Sequence, residues 1–267
     1  MAIQKGHIKY VGTLGDVRHF KIKGLPEYYA GLKGGPSGDQ VLTDPVFERT
    51  RENMNEFGGC AKAGKSVRTA FSSLMDKMAD SQVTGRLTSI MKKINLEDQS
   101  EARGYRAILI SQQRQYLQGL QFDKSLNFDS IITAPFSVTH VVARNEATLD
   151  LAAFNPLSAV VAPAGATHFR LVNALGVISD FEYNSNTGTY EPIDATNNEK
   201  SVVAYSAYLP LDAAAAAQSI VATLAGAPTL TNDDSVIQCV GIEFYQQVGA
   251  NYYLFSSGNC MKVAEIF

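Results

Sequence analysis

Val236-Ile237-Gln238-Cys239-Val240-Gly241-Ile242-Glu243-Phe244-Tyr245-Gln246-Gln247 is rich in β-branched and aromatic residues, and the fold class turns on it. Asp233-Asp234 precedes the run, and Gly249-Ala250-Asn251 follows it as a hairpin loop, so the run reads as a strand. Similar runs surround it at 131–132, 136–142, 147–154, 168–172, 202–209, 252–255 and 261–267, separated by Pro, Gly, Asn and Asp. About eight short strands in some 140 residues predict an antiparallel β-sandwich over 125–267. Asn184-Ser185-Asn186-Thr187-Gly188 reads as a further hairpin loop. The alanine-rich stretch from Ala213 to Leu224 reads as a helix crossing between strands.

Ahead of residue 122 the period changes. Residues 8–32 alternate apolar and polar side chains, punctuated by Gly12, Gly15, Gly24 and Pro26, and read as short strands or an extended arm. Gly34-Gly35-Pro36-Ser37-Gly38 is a flexible break. Asp44 as a cap and Pro45 at the first helical position then start a helix carrying Phe47, Met54 and Phe57. Gly58-Gly59 interrupts it, and the stripe resumes with Val67, Phe71, Leu74, Met75 and Met78. Val83, Leu87, Ile90, Met91 and Ile94 predict a third helix. Tyr105, Ile108, Leu109, Tyr116, Leu117 and Leu120 predict a fourth over 99–120. The fold class expected is therefore α+β: an N-terminal extended basic arm over 1–38, amphipathic helices over 39–124, and the sandwich. Helices that precede strands argue against a parallel βαβ sheet.

Composition sets the outer bounds. In 267 residues, 45% hydrophobic content excludes wholesale disorder, and no apolar run approaches the roughly 18–20 residues that span a bilayer. Met1-Ala2-Ile3-Gln4-Lys5-Gly6 shows no apolar stretch of a Sec-type signal behind its lysine. Cys60, Cys239 and Cys260, odd in number and widely spaced, suit reduced thiols. A cytoplasmic setting is expected, with export lacking a cleaved signal as the alternative. Charge is uneven: up to Lys124 there are 19 Lys+Arg against 13 Asp+Glu, and from Ser125 onward 4 against 13. A basic front and an acidic back suit head-to-tail self-association; solvated helix faces carrying Lys and Arg explain the same numbers.

The motifs give no catalytic centre. Gly59-Cys60-Ala61-Lys62-Ala63-Gly64-Lys65-Ser66 matches the phosphate-loop pattern, but a charged amphipathic helix precedes it instead of a buried strand. It reads as a coincidence of composition. His7, His19, His140 and His168 have no partner at metal-ligand spacing, and the cysteines form no C-x-x-C pair. G-x-S-x-G is absent, and Glu97-Asp98 and Asp233-Asp234 read as turn or cap residues. No cofactor or metal is expected.

The basic segment interleaves Arg18, His19, Lys21, Lys23 and Lys33 with Phe20, Tyr28 and Tyr29. Three readings apply: an ordinary strand with inward aromatics, an arm that adds to a neighbouring subunit, or a single-stranded nucleic-acid groove. The acidic back half weighs against nucleic acid. The chain closes on an apolar strand, Met261-Lys262-Val263-Ala264-Glu265-Ile266-Phe267, which must be buried internally or against a partner.

Several segments together resemble a family of uncharacterised bacterial proteins. They are Gly34-Gly35-Pro36-Ser37-Gly38, Thr43-Asp44-Pro45-Val46-Phe47-Glu48-Arg49-Thr50-Arg51-Glu52-Asn53 and Glu56-Phe57-Gly58. Ala162-Pro163-Ala164-Gly165-Ala166-Thr167-His168-Phe169-Arg170 and Gly241-Ile242-Glu243-Phe244-Tyr245-Gln246-Gln247-Val248 complete the set. The resemblance implies one coherent, unsecreted bacterial unit, and it transfers no activity and no catalytic residue. Read physically, Gly241 in mid-strand predicts a bulge or a close backbone approach.

The function expected is non-enzymatic: a structural subunit that assembles with itself into a filament, tube or shell. Phe20, Ile22, Tyr28 and Tyr29 are the expected arm contacts, and Arg49 and Arg51 are candidate partners for acids of the back half. One alternative is a sandwich that binds carbohydrate or peptide on Tyr245, Tyr252 and Tyr253. Another is nucleic-acid binding through the basic front.

Overall fold

The computed structural model describes residues 1–32 and 34–267; Lys33 of the basic segment lies outside the described residues. The chain divides into two compact units, Met1–Arg51 and Glu52–Phe267.

In the first unit, β1 (Ala2–Ile3), β2 (Gly12–Leu14), β3 (Val17–Lys21) and β4 (Tyr28–Leu32) form an antiparallel sheet in the order β1-β4-β3-β2. Of the two readings open for residues 8–32, short strands are the one seen, and the extended arm is corrected. Helix α1 (Gly38–Thr43) opens on a reciprocal cap: Ser37 Oγ accepts from Gln40 N at 3.1 Å, and Ser37 N donates to Gln40 Oε1 at 2.8 Å. Asp44 caps the following turn as expected, its Oδ1 accepting from Val46 N at 2.9 Å.

The second unit is layered. Helices α2 (Glu48–Ala70), α3 (Ser72–Met78) and α4 (Val83–Glu97) come first, with α2 starting in the first unit. The strands follow: β5 (Phe136–His140), β6 (Glu146–Leu151), β7 (His168–Ser179), β8 (Phe181–Asn184), β9 (Thr189–Pro192), β10 (Ser201–Tyr205) and β11 (Leu209–Pro210). After them come β12 (Gln218–Thr223), β13 (Asp234–Val248), β14 (Asn251–Leu254) and β15 (Cys260–Ile266). The opening run lies in β13, the centre of a six-stranded antiparallel sheet. β7 flanks it on one side and β14 and β15 on the other; β10 and β11 pair with β7.

Strand alternation sends β7 and β13 side chains to two different cores. Val172, Ala174, Ile178, Ile237 and Cys239 join Val67, Phe71, Leu74, Leu87 and Met91 of the helical segment. Phe169, Leu171, Val240, Ile242 and Phe244 instead meet Leu149, Leu151 and Ile220 of a three-stranded sheet ordered β12-β6-β5. A mixed α+β fold with antiparallel sheets is thus observed. A single sandwich does not describe it, because helices cover the second face of the large sheet. The segments separated in sequence as 39–124 and 125–267 share one hydrophobic cluster, where each fully buried Leu or Phe contributes ~1.5–3 kcal/mol. Gly241 shows the expected close approach: a Cβ there would lie 3.0 Å from Cys260 O and 3.3 Å from Met78 Sδ.

Polar groups tie the two sheets together. Asn173, fully buried, donates from Nδ2 to Ala147 O at 2.9 Å and to Ile220 O at 2.8 Å, and it accepts from Gln238 Nε2 at 3.0 Å.

Three local expectations are corrected. Residues 99–120 hold only a 3-10 turn, Arg114–Tyr116, because Gly104 and Gly119 take φ of 96° and 77° and Ile108 exchanges backbone bonds with Phe181. Of the expected stripe, Ile108 and Leu117 are buried without a helix, while Tyr105 is 48% exposed. The Ala213–Leu224 stretch carries strand β12, paired with β6, with Ile220 and Ala222 inward; alternation and pairing override alanine's helix propensity. The Gly58-Gly59 pair does not interrupt α2.

Candidate functional site

The expected assembly residues lie in the first unit. The register β3–β4 places Phe20 opposite Tyr29, their rings stacked at 6.1 Å, with the Arg18 guanidinium 5.5 Å from the Phe20 ring. Tyr28 lies on the other face, under Lys21 Nζ at 5.2 Å. Ile22 follows β3 and accepts from Leu25 N in the turn to β4. Arg51 is turned inward on its own unit, donating from Nη1 to Val41 O and Asp44 O, both at 2.8 Å, while Arg49 is exposed. The sheet therefore brings Phe20 and Tyr29 together on one face and sets Tyr28 on the other.

Among the described residues of Met1–Arg51, none is buried. Leu14 is 71% exposed and Leu32 82%, side by side with Val17 on the Tyr28 face; Ile3 is 51% exposed on the Phe20 face. A sheet normally buries one face against another layer, and here the residues of β3 and β4 are at most half-buried.

The tyrosines considered for a carbohydrate or peptide platform lie apart. Tyr245 is buried and donates its hydroxyl to Glu243 Oε2 at 2.5 Å. Tyr252 and Tyr253 alternate to opposite faces of β14. Tyr252 belongs to a stack that uses up ring faces: Arg170 sits between Tyr205 (4.2 Å) and Tyr208 (4.8 Å), and Tyr208 stacks on Tyr252 at 3.9 Å. Lys77 Nζ stands 3.5 Å from Glu243 beside this stack.

A cleft that no sequence pattern announces opens between the loop that follows α4 and the β8–β9 hairpin. Its volume is ≈ 670 Å³, and Glu101, Tyr105, Leu109, Glu182, Tyr183 and Ile193 line it. Tyr105 and Tyr183 meet edge to face at 4.8 Å. Glu56 Oε1 accepts from Gly104 N at 2.8 Å, Asp98 Oδ2 from Ala107 N at 2.7 Å, and Tyr190 donates its hydroxyl to Arg106 O at 2.9 Å, so one wall is held rigidly. In sequence Tyr105 belongs to the apolar stripe of 99–120, and no local pattern links it to Tyr183.

The phosphate-loop match lies inside α2, where Gly59, Cys60, Ala63, Gly64 and Ser66 are buried. Burial pushes the Cys60 and Cys260 thiols up to about 12, and Cys239 well above its ordinary value, which suppresses thiolate. Ser66 Oγ donates to Glu199 Oε1 at 2.8 Å. Among the described residues no group of three His, Cys, Asp or Glu side chains is placed to hold a metal ion, and no helix is long and apolar enough to cross a membrane. His140 stacks on Phe267 at 3.9 Å, and His168 packs against Tyr252.

One buried carboxylate titrates near neutrality. Burial, reinforced by Asp233, pushes Asp180 up to about 6 against the donors Ser111 N (2.8 Å) and Ser111 Oγ (2.5 Å). An unfolded aspartate titrates near 3.9. Between those values the folded chain holds a proton that the unfolded chain has lost, so this group adds stability as pH falls from about 6 toward 4. Asp180→Asn keeps the shape and both Ser111 contacts. It is expected to raise stability at pH 7.5 by ~1–2 kcal/mol and to shrink that gain to near zero at pH 4.5. Urea melts of both proteins at the two pH values check this; an equal difference at both would refute it.

Compared with known proteins, the chain matches no family model, no curated protein and no solved structure.

Proposed function

We propose that the protein is a structural subunit that assembles with copies of itself, the Met1–Arg51 unit of one copy docking on a neighbour. The observation that carries the reading is that this unit buries none of its described residues while presenting Leu14, Leu32, Val46 and Ile3 to solvent. A small sheet with no fully buried residue is marginal on its own, and a second layer from a partner supplies what it lacks. Charge favours a copy of the same chain as that partner. Met1–Arg51 carries 8 Lys+Arg against 5 Asp+Glu, and Glu52–Phe267 carries 15 against 21. Opposite net charges steer such an encounter and set its register. Three buried free cysteines fit a cytoplasmic setting.

The test is light scattering on a sizing column, with negative-stain microscopy of the same fractions at low and high salt. The full chain is expected to form ordered assemblies that loosen with salt, since charged contacts are screened. Deleting residues 1–43, which keeps the Asp44 cap, is expected to leave a monomer whose thermal melt is preserved. A monomeric full chain at every salt concentration would sink the reading.

A further inference from the structure

We propose that the cleft between Tyr105 and Tyr183 receives a lysine side chain from the β3–β4 turn of a second copy of this chain. The inference rests on the self-assembly reading and names the contact that would carry it.

The cleft has the chemistry of an alkylammonium site. Its lining includes two carboxylates, Glu101 and Glu182, two tyrosine rings, and no lysine or arginine. Among the described residues neither the Glu101 nor the Glu182 side chain has a hydrogen-bond or ion-pair partner, and both residues are exposed. Aromatic faces attract a cation through the ring quadrupole, and the carboxylates neutralise it. Leu109 and Ile193 offer apolar surface for the methylene stem, as long cationic side chains prefer. The wall held by Glu56, Asp98 and Tyr190 lowers the cost of ordering the site.

The occupant follows from the first unit. Residues 22–27 connect β3 to β4 as an exposed turn carrying Lys23, with Lys21 at the end of β3. Several cations of that unit are engaged already: Arg18 over Phe20, Lys21 over Tyr28, Arg51 on two carbonyls, and Lys9 on Gln4 O. Among the described residues Lys23 makes no hydrogen bond or ion pair, and Leu25 beside it is exposed. A turn that presents a lysine and a leucine matches a cleft that presents carboxylates, tyrosines and an isoleucine.

The test uses two full-chain double variants and their mixture. Glu101→Lys with Glu182→Lys reverses the cleft, and Lys21→Glu with Lys23→Glu reverses the turn. Each alone is expected to raise the concentration needed for assembly by about tenfold or more, because like charges then face each other. Mixed one to one, the two are expected to co-assemble close to the wild-type threshold, since each reversed surface meets its complement. All four positions sit at the surface, so thermal melts should match wild type. If the wild type assembles and either variant assembles equally well, the contact is wrong while self-assembly stands. Loss in both variants without rescue in the mixture also overturns the pairing. A wild type that never assembles overturns both readings. An intermolecular disulfide between a Lys23→Cys chain and a Ser185→Cys chain gives a second, independent readout, and its absence in assembled material counts against the contact.

Discussion

Gly59→Ala is expected to destabilise the protein by ~2–4 kcal/mol, although alanine is the better helix former. Gly59 lies within α2, and the Tyr190 ring rests flat on its backbone. A Cβ there would stand 2.4 Å from Cγ and 2.6–2.7 Å from both Cδ atoms of that ring. Tyr190 is buried and held by its hydroxyl on Arg106 O, so it has nowhere to move without breaking a bond or opening a void. Gly58 is the internal control. It is exposed, a Cβ added to it would meet nothing within 4 Å, and Gly58→Ala is expected to stabilise by ~0.5–1 kcal/mol through helix propensity alone. Adjacent glycines should therefore shift the urea midpoint in opposite directions. Equal shifts would mean that Tyr190 does not pack on the helix.

Glu56→Leu is expected to cost ~2–3 kcal/mol, below the range for a fully buried ion pair because the Lys92 side chain stays partly in water. Glu56 is 2% exposed; Lys92 Nζ bonds its Oε2, Gly104 N donates to Oε1, and Arg106 Nε stands 3.9 Å away. Lys92 also donates to Asn95 Oδ1 at 2.9 Å, and Asn95 Nδ2 donates to Arg106 O at 2.6 Å. The leucine variant leaves the Lys92 ammonium with Asn95 Oδ1 alone and the Gly104 N–H without its acceptor. Adding Lys92→Leu should recover at least ~1 kcal/mol, because the orphaned charge is then removed. A double-mutant cycle from urea unfolding measures that coupling, and strict additivity would contradict the network. The same loss should raise amide exchange at Gly104, next to Tyr105 of the cleft lining.

Much of the architecture is written locally. α4 carries Val83, Leu87, Met91 and Ile94 inward at the spacing visible in the chain, and Asp44-Pro45 starts its turn where capping chemistry places it. The Val236–Gln247 run reads as a strand because β-branched and aromatic residues dominate it, and it forms β13. The candidate sites were less legible. Phe20 and Tyr29 meet because β3 and β4 pair in one register; alternation marked the runs as strand-like and did not name their pairing. Tyr105 meets Tyr183 only because a loop and a hairpin converge, and no period or spacing links them.

The order of helices before strands, the apolar stripes, the caps and the lack of a spelled-out catalytic motif are all readable from the chain alone. These are short-range properties, set by propensity, periodicity and side-chain chemistry within a few residues. Long-range contacts, together with left-handed Gly104 and Gly119, make residues 99–120 run irregularly; long-range contacts also turn the alanine-rich stretch into β12 and lay helices over the second face of the central sheet. The choice rests on which distant backbone groups are free to pair, Phe181 with Ile108 and β6 with β12, and on the apolar face of β7 and β13 that receives Phe71 and Leu74.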